Sequence, residues 1–211
     1  MLIIGAKGFA KEVLEILHQS NNVDNLYFYD DVNEDIPAKL FGIFPVLRNE
    51  ASATELFLTD KRFTIGLGNS TLRKKLYEKF IAMGGEFIST ISPFANIGHY
   101  GNIIEEGCNI MTGTVITNDI KIGRGCLINL NCTIGHDSII GTFTELSPGV
   151  SISGNCIIGS YCNIGTNATL LPGVVLGNNV IVGAGAVVTK NVSENTTVVG
   201  IPAKPLTNKD K

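Results

Sequence analysis

A period of six residues runs without a break from Ile104 to Ser193. An α-helix repeats about every 3.6 residues and a strand alternates every two, so a period of six indicates short strands separated by regular corners. Hexapeptide periodicity of this kind is typical of a parallel β-helix. Each of the fifteen repeats begins with a branched apolar residue: Ile104, Ile110, Ile116, Ile122, Ile128, Ile134, Ile140, Leu146, Ile152, Ile158, Ile164, Leu170, Leu176, Val182 and Val188.

Three hexads would close one coil of eighteen residues, so fifteen hexads predict five coils. We expect the first side chain of each hexad to point to the axis and to stack on its counterpart about 4.8 Å away in the next coil. Glycine follows this residue in seven repeats, where we expect it to supply the backbone freedom of a tight corner. A β-sandwich, the alternative, would have loops of irregular length.

The cysteines all share one position of the hexad. Cys108, Cys126, Cys132, Cys156 and Cys162 each lie four residues after the branched apolar residue, where the other repeats have small or apolar residues. Their number is odd and none forms a C-x-x-C pair, which disfavours a disulfide framework or a metal site. We therefore interpret them as small buried hydrophobes.

Residues 1–88 have a different rhythm, and we predict an α/β domain there, followed by the β-helix over residues 89–211. Apolar runs at residues 2–4, 26–29, 63–68 and 87–88 predict strands, and helical spacing predicts helices over residues 9–17 and 72–80. Ser52 and Glu55 form a capping-box pattern that predicts a short helix over residues 56–58. Alternating strands and helices imply a small parallel, Rossmann-like sheet.

Three loops follow the predicted strands at the edge where such sheets bind ligands: residues 5–11, 30–31 and 66–70. The first is rich in small residues and precedes a helix N-terminus, which suits a phosphate, although a plain β–α turn has the same pattern. Asp30 and Asp31 follow the second strand. They could hold a ribose or a base edge, or simply form a turn.

One histidine lies inside the regular repeat. His136 is the third residue of its hexad, so we expect it to project outward from a corner, with Asp137 beside it. A neutral imidazole is the usual general base near pH 7, and a neighbouring carboxylate can fix its tautomer. His99 lies where the spacing from Ile97 to Ile104 is seven rather than six, and we interpret it as a surface residue.

Composition limits the function classes. The net charge of −3 and the pI near 5.6 give no electrostatic case for binding nucleic acid or anionic membranes. No apolar run approaches the roughly 18 residues of a transmembrane helix. The first residues lack the basic region of a signal peptide, so we expect a cytoplasmic protein.

Together these motifs resemble a family of bacterial sugar acyltransferases, the sialic-acid O-acetyltransferases and nucleotide-amino-sugar N-acetyltransferases. The resemblance extends over nearly the whole chain. It rests on Gly5-Ala6-Lys7-Gly8-Phe9, Tyr29-Asp30-Asp31, Ile65-Gly66-Leu67-Gly68-Asn69, Arg73-Lys74-Lys75, His136-Asp137, Leu146-Ser147-Pro148-Gly149-Val150, Ser153-Gly154-Asn155 and Val199-Gly200-Ile201-Pro202-Ala203-Lys204.

The resemblance implies a left-handed β-helix, a homotrimer with active sites between subunits, and acetyl-CoA as co-substrate, without a metal. It implies that His136 is the base and that Asp137 orients it. It also implies two further groups of contacts. Acetyl-CoA would contact Glu145, Gly154, Thr166, Ala184, Gly200 and Lys204, and the nucleotide sugar would contact Lys7, Gly8, Phe9, Asp30, Asp31 and Gly68.

The chain departs from the family pattern at two positions. The glycine loop reads Gly8-Phe9-Ala10 where the family commonly has Gly-His-Gly, and Glu145 replaces a second histidine that the family often carries nine residues after the catalytic one. An ionised carboxylate accepts hydrogen bonds but cannot donate them, so the substitution at Glu145 changes the chemistry of that position.

The leading hypothesis is an acetyl-CoA-dependent N-acetyltransferase that acts on the amino group of a nucleotide-linked dideoxy sugar. O-acetylation of sialic acid or a related sugar is the close alternative. A zinc lyase of the carbonic-anhydrase type would need three histidines, whereas the repeat region offers only His136 and, at its edge, His99. A trimeric scaffold that binds nucleotide sugars without turnover is the remote alternative.

Overall fold

A computed structural model describes residues 1–206. The N-terminal part holds a six-stranded sheet in the order β3-β4-β2-β1-β5-β6, parallel throughout except for the antiparallel pair β3–β4. Its elements are β1 (Leu2–Ile4), α1 (Gly8–Gln19), β2 (Tyr27–Tyr29), β3 (Lys39–Leu40), β4 (Phe44–Leu47), α2 (Glu50–Phe57), β5 (Arg62–Ile65), α3 (Ser70–Ala82) and β6 (Glu86–Phe87). The expected Rossmann-like sheet is therefore present.

Helices cover both faces of this sheet. The buried face of α1, with Val13 and Leu17, packs against Ile3 and Phe28 on one side. Residues of α2 and α3 pack on the other side, where aromatic rings fill most of the core. This second core includes Tyr29, Phe57, Phe63, Phe80 and Phe87.

Two details of the N-terminal part differ from the sequence predictions. The capping box at Ser52 is wrong, because Asn49 caps α2 by accepting a hydrogen bond from the Ser52 backbone N–H at 2.9 Å, and the helix already begins at Glu50. The hairpin of β3 and β4 was not expected. Its two strands are short, and Pro45 within β4 weakens the strand signal.

From Thr90 onward, the described residues form a parallel β-helix with three walls. The first wall contains β7 (Thr90–Ile91), β10 (Asn109–Ile110), β13 (Leu127–Ile128), β16 (Glu145–Leu146), β19 (Asn163–Ile164), β22 (Ile181–Val182), β24 (Thr197–Val199) and the antiparallel β25 (Lys204–Pro205). The second contains β8 (Asn96–Ile97), β11 (Val115–Ile116), β14 (Thr133–Ile134), β17 (Ser151–Ile152), β20 (Thr169–Leu170) and β23 (Val187–Val188). The third contains β9 (Ile103–Ile104), β12 (Lys121–Ile122), β15 (Ile139–Ile140), β18 (Ile157–Ile158) and β21 (Val175–Leu176).

Strand register confirms the coil of eighteen residues. Ile104 pairs with Ile122 on the third wall and Ile110 pairs with Ile128 on the first. The branched apolar residues that begin the hexads form one continuous core, and all five cysteines are buried in it as free thiols. The extra residue between Ile97 and Ile104 is also confirmed, because Ile116 pairs with Ile97, nineteen residues earlier.

The glycine at the second position of the hexad does not supply the backbone freedom of the corner, so that expectation is wrong. These glycines have ordinary backbone angles, and an added Cβ would meet the backbone of the next coil, as at Gly141, where Ser160 N would lie 2.5 Å away. Positive φ occurs two residues later, at the fourth residue of the hexad, for example at Asn131, Asp137 and Phe143. Glycine therefore allows close approach between coils, while the following corner residues turn the chain.

We refer to the corners by the walls that precede them. On the first corner, between the first and second walls, the positive-φ position alternates along the axis between glycine and asparagine: Gly113, Asn131, Gly149, Asn167 and Gly185. The asparagine side chain reaches over the glycine of the preceding coil, since a Cβ on Gly149 would lie 2.2 Å from Asn167 Oδ1.

No helix within residues 1–206 has the length and apolarity needed to cross a bilayer.

Candidate active site

His136 projects from the second corner, between β14 and β15, as the sequence predicted. Its side chain is 63% exposed, and its Nδ1 lies 2.7 Å from Oδ2 of Asp137. When Nδ1 carries the proton for this contact, Nε2 keeps its lone pair free to accept a proton. The pair thus has the arrangement of a general base held by a carboxylate.

The corner geometry fixes the imidazole. Asp137 has φ of 58°, a left-handed conformation that aspartate tolerates better than most residues. The His136 carbonyl accepts a hydrogen bond from Asn155 N at 2.8 Å. The ring lies over Gly154 of the next coil, so closely that a Cβ there would be 2.7 Å from both Cε1 and Nε2. Gly154 therefore provides the surface on which the ring rests.

The residues expected to contact acetyl-CoA do not lie on one corner of a single chain. Thr166, Ala184 and Gly200 follow β19, β22 and β24 and form a column along the first corner. Gly154 follows β17 on the second corner, in the same column as His136. The whole second wall separates the two columns.

Lys204 lies at the C-terminal end of the β-helix, on β25. It lines a cavity of about 350 Å³, together with Thr189, Lys190, Val192, Thr196, Pro202 and other residues of the last turn. The Gly200 carbonyl near this cavity accepts a hydrogen bond from Val187 N at 3.1 Å. Two ammonium groups at an open cavity suit an anionic group, as expected for the phosphates of a nucleotide.

Glu145 lies on β16, with its side chain only 15% exposed. Its Oε2 is 3.5 Å from Nη1 of Arg73, and the same oxygen would be 3.6 Å from a Cβ on Gly68. Burial raises the pKa of Glu145, and the guanidinium of Arg73 offsets part of this effect. The structure thus brings Glu145 and Gly68, which the resemblance assigned to different ligands, together at the junction of the two domains.

A cavity of about 180 Å³ opens at the carboxyl ends of β1, β2 and β5. Its lining is mostly apolar and includes Leu67, Leu72 and Leu76, with Gly5, Tyr29 and the loop that begins at Asp30 completing it. Leu72, in the first turn of α3, is 42% exposed at this cavity. An apolar cleft with a few polar groups at this edge of a parallel sheet is a typical nucleotide site.

The two aspartates at the cavity have different surroundings. Asp30 is buried and closes its own loop, accepting hydrogen bonds from Asn33 N at 2.9 Å and Val32 N at 3.2 Å. Asp31 accepts one from the Tyr29 hydroxyl at 2.7 Å and pairs with Lys79 at 3.3 Å. Burial and the adjacent Asp31 raise the pKa of Tyr29 to about 12, so the phenol stays a donor.

Sequence reasoning missed Tyr29 and Lys79 as members of this site. Tyr29 reads only as a strand residue in the sequence. Lys79 lies near the end of α3, far from Asp31 along the chain. Its pKa is raised, although burial opposes this, because Glu50, Tyr29 and Asp31 surround the ammonium group. No local signal connects these residues, since only the parallel sheet brings them together.

Lys7, Gly8 and Phe9 begin α1. No side chain caps this helix, so its first N–H groups remain available. The Lys7 ammonium pairs with Asp35 at 3.1 Å, and both side chains are exposed, so the pair is weak. The Phe9 side chain packs partly against Ile16, Met111 and Leu127 at the β-helix. Phe9 can thus contact a ligand through its backbone, but its ring belongs to the packing.

Residues 1–206 contain no cluster of three or more histidine, cysteine or acidic side chains that could hold a metal ion. His99 lies beside Tyr100, with ring centroids 6.5 Å apart.

Comparisons with known proteins agree with this architecture. Residues 1–80 match the profile described as the PglD N-terminal domain, and residues 155–190 match the profile of the bacterial transferase hexapeptide, six repeats. No curated protein matches the sequence at a significant level.

Solved structures are similar over nearly the whole chain. WeeI from Acinetobacter baumannii AYE has 32% identity and a TM-score of 0.90, with 97% of this chain and 98% of that chain covered. The acetyltransferase domain of PglB from Neisseria gonorrhoeae FA1090, solved with acetyl coenzyme A, has 30% identity and a TM-score of 0.89, with the same coverage. A variant of perosamine N-acetyltransferase from Caulobacter crescentus, solved with CoA and GDP-perosamine, has 28% identity and a TM-score of 0.90, with 98% and 96% covered.

The fold and the His136–Asp137 corner define a hexapeptide-repeat acyltransferase. Within that class, the chain belongs to the family of bacterial sugar acyltransferases that includes the sialic-acid O-acetyltransferases and the nucleotide-amino-sugar N-acetyltransferases. It is therefore an acyltransferase.

Proposed function

We propose that this enzyme transfers the acetyl group of acetyl-CoA to the amino group of a nucleotide-linked amino sugar in bacterial glycan biosynthesis. The observation that carries the proposal is the joining of an exposed His136–Asp137 pair to a domain with an apolar cleft at the carboxyl ends of its parallel strands. The Caulobacter crescentus relative, an N-acetyltransferase solved with CoA and GDP-perosamine, supports the amino sugar as acceptor.

The reaction needs one general base and proceeds by direct transfer, without an acyl-enzyme intermediate. Nε2 of His136 removes a proton from the sugar amine as its nitrogen attacks the thioester carbonyl. The tetrahedral intermediate then collapses, the C–S bond breaks, and the imidazolium returns its proton to the departing thiolate of CoA. Asp137 holds the tautomer and stabilises the imidazolium that forms between the two steps.

The proposal places the active site between subunits of a homotrimer. In one chain His136 lies on the second corner, whereas Thr166, Ala184 and Gly200 lie on the first. A second copy that brings its first corner against the His136 corner would unite them. The second wall, between these corners, exposes only uncharged residues, which suits packing around a symmetry axis: Asn96, Val115, Thr133, Ser151, Thr169 and Val187.

The substrate contacts follow from the same arrangement. The nucleoside would occupy the cleft beside Leu67 and Asp31, with its phosphates near Lys7 and the start of α1 at Gly8. The Lys204 cavity would take the nucleotide end of CoA. We place the reaction in the cytoplasm, because five unpaired thiols suit a reducing compartment.

A thiol-release assay tests the proposal. Acetyl-CoA is combined with a panel of UDP-, GDP- and CMP-linked amino sugars and with free sialic acid, using the native enzyme and His136→Ala. We expect turnover with one nucleotide-linked amino sugar and a loss of about a hundredfold or more in kcat for His136→Ala.

Other outcomes separate the alternatives. Turnover with sialic acid alone would assign the enzyme to the O-acetylating branch. Tight binding of a nucleotide sugar without any turnover would support the scaffold and contradict the proposal.

A further inference from the structure

One arginine connects the two domains. Arg73 lies in the first turn of α3, and its side chain is only 1% exposed. Its guanidinium donates to the carbonyl of Gly68 in its own domain and, across the junction, to the carbonyl of Phe143 at 2.8 Å. Glu145 lies 3.5 Å from its Nη1. One planar group thus joins the backbone at Gly68 to the backbone at Phe143, which belongs to the other domain.

The segment that Arg73 holds is part of the nucleotide cleft. Gly68 belongs to the loop between β5 and α3, and Leu67 in that loop lines the cleft together with Leu72 and Leu76 of α3. Asn109 of β10 holds the start of the same loop, since its side-chain N–H₂ donates to Ile65 O at 2.8 Å. The loop therefore has one attachment to the β-helix at each end.

The other end of the Arg73 contact lies on the coil that carries His136. Phe143 follows His136 by seven residues and lies on the third corner, where it has φ of 54°. A bulky residue with positive φ is strained. Here the strain places its ring between Tyr77 of α3 and Tyr161 of the next coil, with centroids 5.8 and 6.0 Å away. The junction is therefore held in one orientation by both polar and aromatic contacts.

Stability alone does not account for Arg73. Burying a guanidinium is costly, its Nε–H has no hydrogen-bond partner among the described residues, and a positive charge in the first turn opposes the helix dipole. Replacing a buried ion pair by neutral or apolar side chains is often harmless to stability. What Arg73 does supply is a contact to the backbone carbonyls on both sides of the junction, at Gly68 and Phe143.

We propose that Arg73 is a positioning residue that fixes the cleft loop of residues 66–69 to the β-helix and thereby sets where the nucleotide sugar presents its amino group. The inference rests on the proposed function. Glu145 acts with Arg73 by neutralising the buried charge. Lysine cannot replace arginine here, because a single ammonium group cannot reach the carbonyls on both sides in the planar geometry of the fork.

The test compares Arg73→Lys, Arg73→Met combined with Glu145→Gln, and the control Arg124→Lys. Arg124 lies at the same domain junction, over the ring of Tyr77 at 5.3 Å and paired with Glu106 at 2.7 Å, and within residues 1–206 no hydrogen bond or ion pair joins it to the cleft loop. Steady-state kinetics use the nucleotide sugar that the native enzyme turns over. Calorimetry measures the binding of acetyl-CoA, UDP and GDP, and thermal unfolding gives Tm.

We expect kcat/KM for the nucleotide sugar to fall by about tenfold to a hundredfold in both Arg73 variants, because a misplacement of about 1 Å can cost that much. Acetyl-CoA affinity should stay unchanged in Arg73→Lys, and the Tm of the double variant should stay close to that of the native enzyme. Arg124→Lys should retain native kinetics.

A native kcat/KM in Arg73→Lys would overturn the inference, as would a loss of acetyl-CoA affinity and Tm in that variant in parallel with the fall in kcat/KM. If the native enzyme turns over none of the sugars, the proposed function fails, and the affinities of UDP and GDP then decide the inference. Unchanged affinities for both nucleotides in the Arg73 variants would overturn it.

Discussion

The position of the His136 imidazole depends on Gly154, a residue without a side chain. Gly154 lies directly under the imidazole, and no larger residue fits without moving the ring. Because the ring also contacts Asp137, any shift would change the direction of the lone pair on Nε2. The orientation of the imidazole is therefore set by the neighbouring coil as well as by its own coil.

Gly154→Ala tests this dependence. The added methyl group would lie 2.7 Å from two ring atoms, so the imidazole must move. We expect kcat to fall by about a hundredfold, since misplacing a catalytic group by roughly 1 Å has an effect of this size. Thermal unfolding and acetyl-CoA binding serve as controls for the fold and for the donor site. An unchanged kcat would mean that Gly154 does not support the ring.

At the scale of the element, the corners of the β-helix restrict the choice of residue more than its walls do. On the first corner a glycine in one coil lies beneath an asparagine of the next, and both have positive φ. Gly149 and Gly185 form a matched pair, since both have φ near 70° but only Gly149 has an asparagine oxygen where a Cβ would be. The pair separates backbone strain from steric overlap.

We expect Gly185→Ala to lower the free energy of unfolding by about 1–3 kcal/mol, the usual cost of a strained backbone angle. Gly149→Ala should cost distinctly more, because its methyl group also meets Asn167 Oδ1. Adding Asn167→Gly should recover part of the difference. Chemical denaturation measures all three, and equal losses in the two single variants would contradict the steric explanation.

The sequence predicts the walls of the β-helix almost completely, because the period of six specifies both the coil length and the inward residues. It also predicts the outward position of His136 and the strands and longer helices of the N-terminal sheet. It does not predict which residue of a corner turns the chain, since glycine is needed both for positive φ and for close contact between coils. The prediction of a helix cap at Ser52 was wrong because Ser52 and Glu55 match the capping-box pattern, although Asn49 is the residue that caps α2.

The site was less predictable than the fold. The contact of Arg73 with Phe143 and that of Lys79 with Asp31 join residues that are distant in sequence, and neither has a periodic or local signature. Glu145 illustrates the difference. The resemblance suggested a ligand contact, which stays a prediction, whereas its observed partner is a buried arginine from the other domain.

At the scale of the whole molecule, the separation of the two columns predicts intersubunit complementation. His136→Ala removes the base and Ala184→Trp would block the column on the first corner, so each variant alone should be inactive. Co-expressed chains should regain activity, because about one site in four in randomly mixed trimers would combine an intact base with an intact column. Activity is measured on purified mixed oligomers.

Two controls accompany this experiment. Mixing the purified variants without subunit exchange should give no activity. A chain that carries both substitutions, co-expressed with itself, should also stay inactive. Absence of rescue in confirmed hetero-oligomers would place the base and the column of one site in the same chain.

The regular stack also limits how this enzyme can change its reach. After the coil of His136, the second wall continues through β17, β20 and β23, a rise of about 14 Å at the strand spacing. A corner can absorb an extra residue, as between Ile97 and Ile104, but only a whole coil adds a layer to all three walls. The distance from the reacting centre to the C-terminal cavity can thus vary only in steps of one coil, or about 4.8 Å. A β-helix adapted to a longer or shorter acyl donor would therefore gain or lose whole coils.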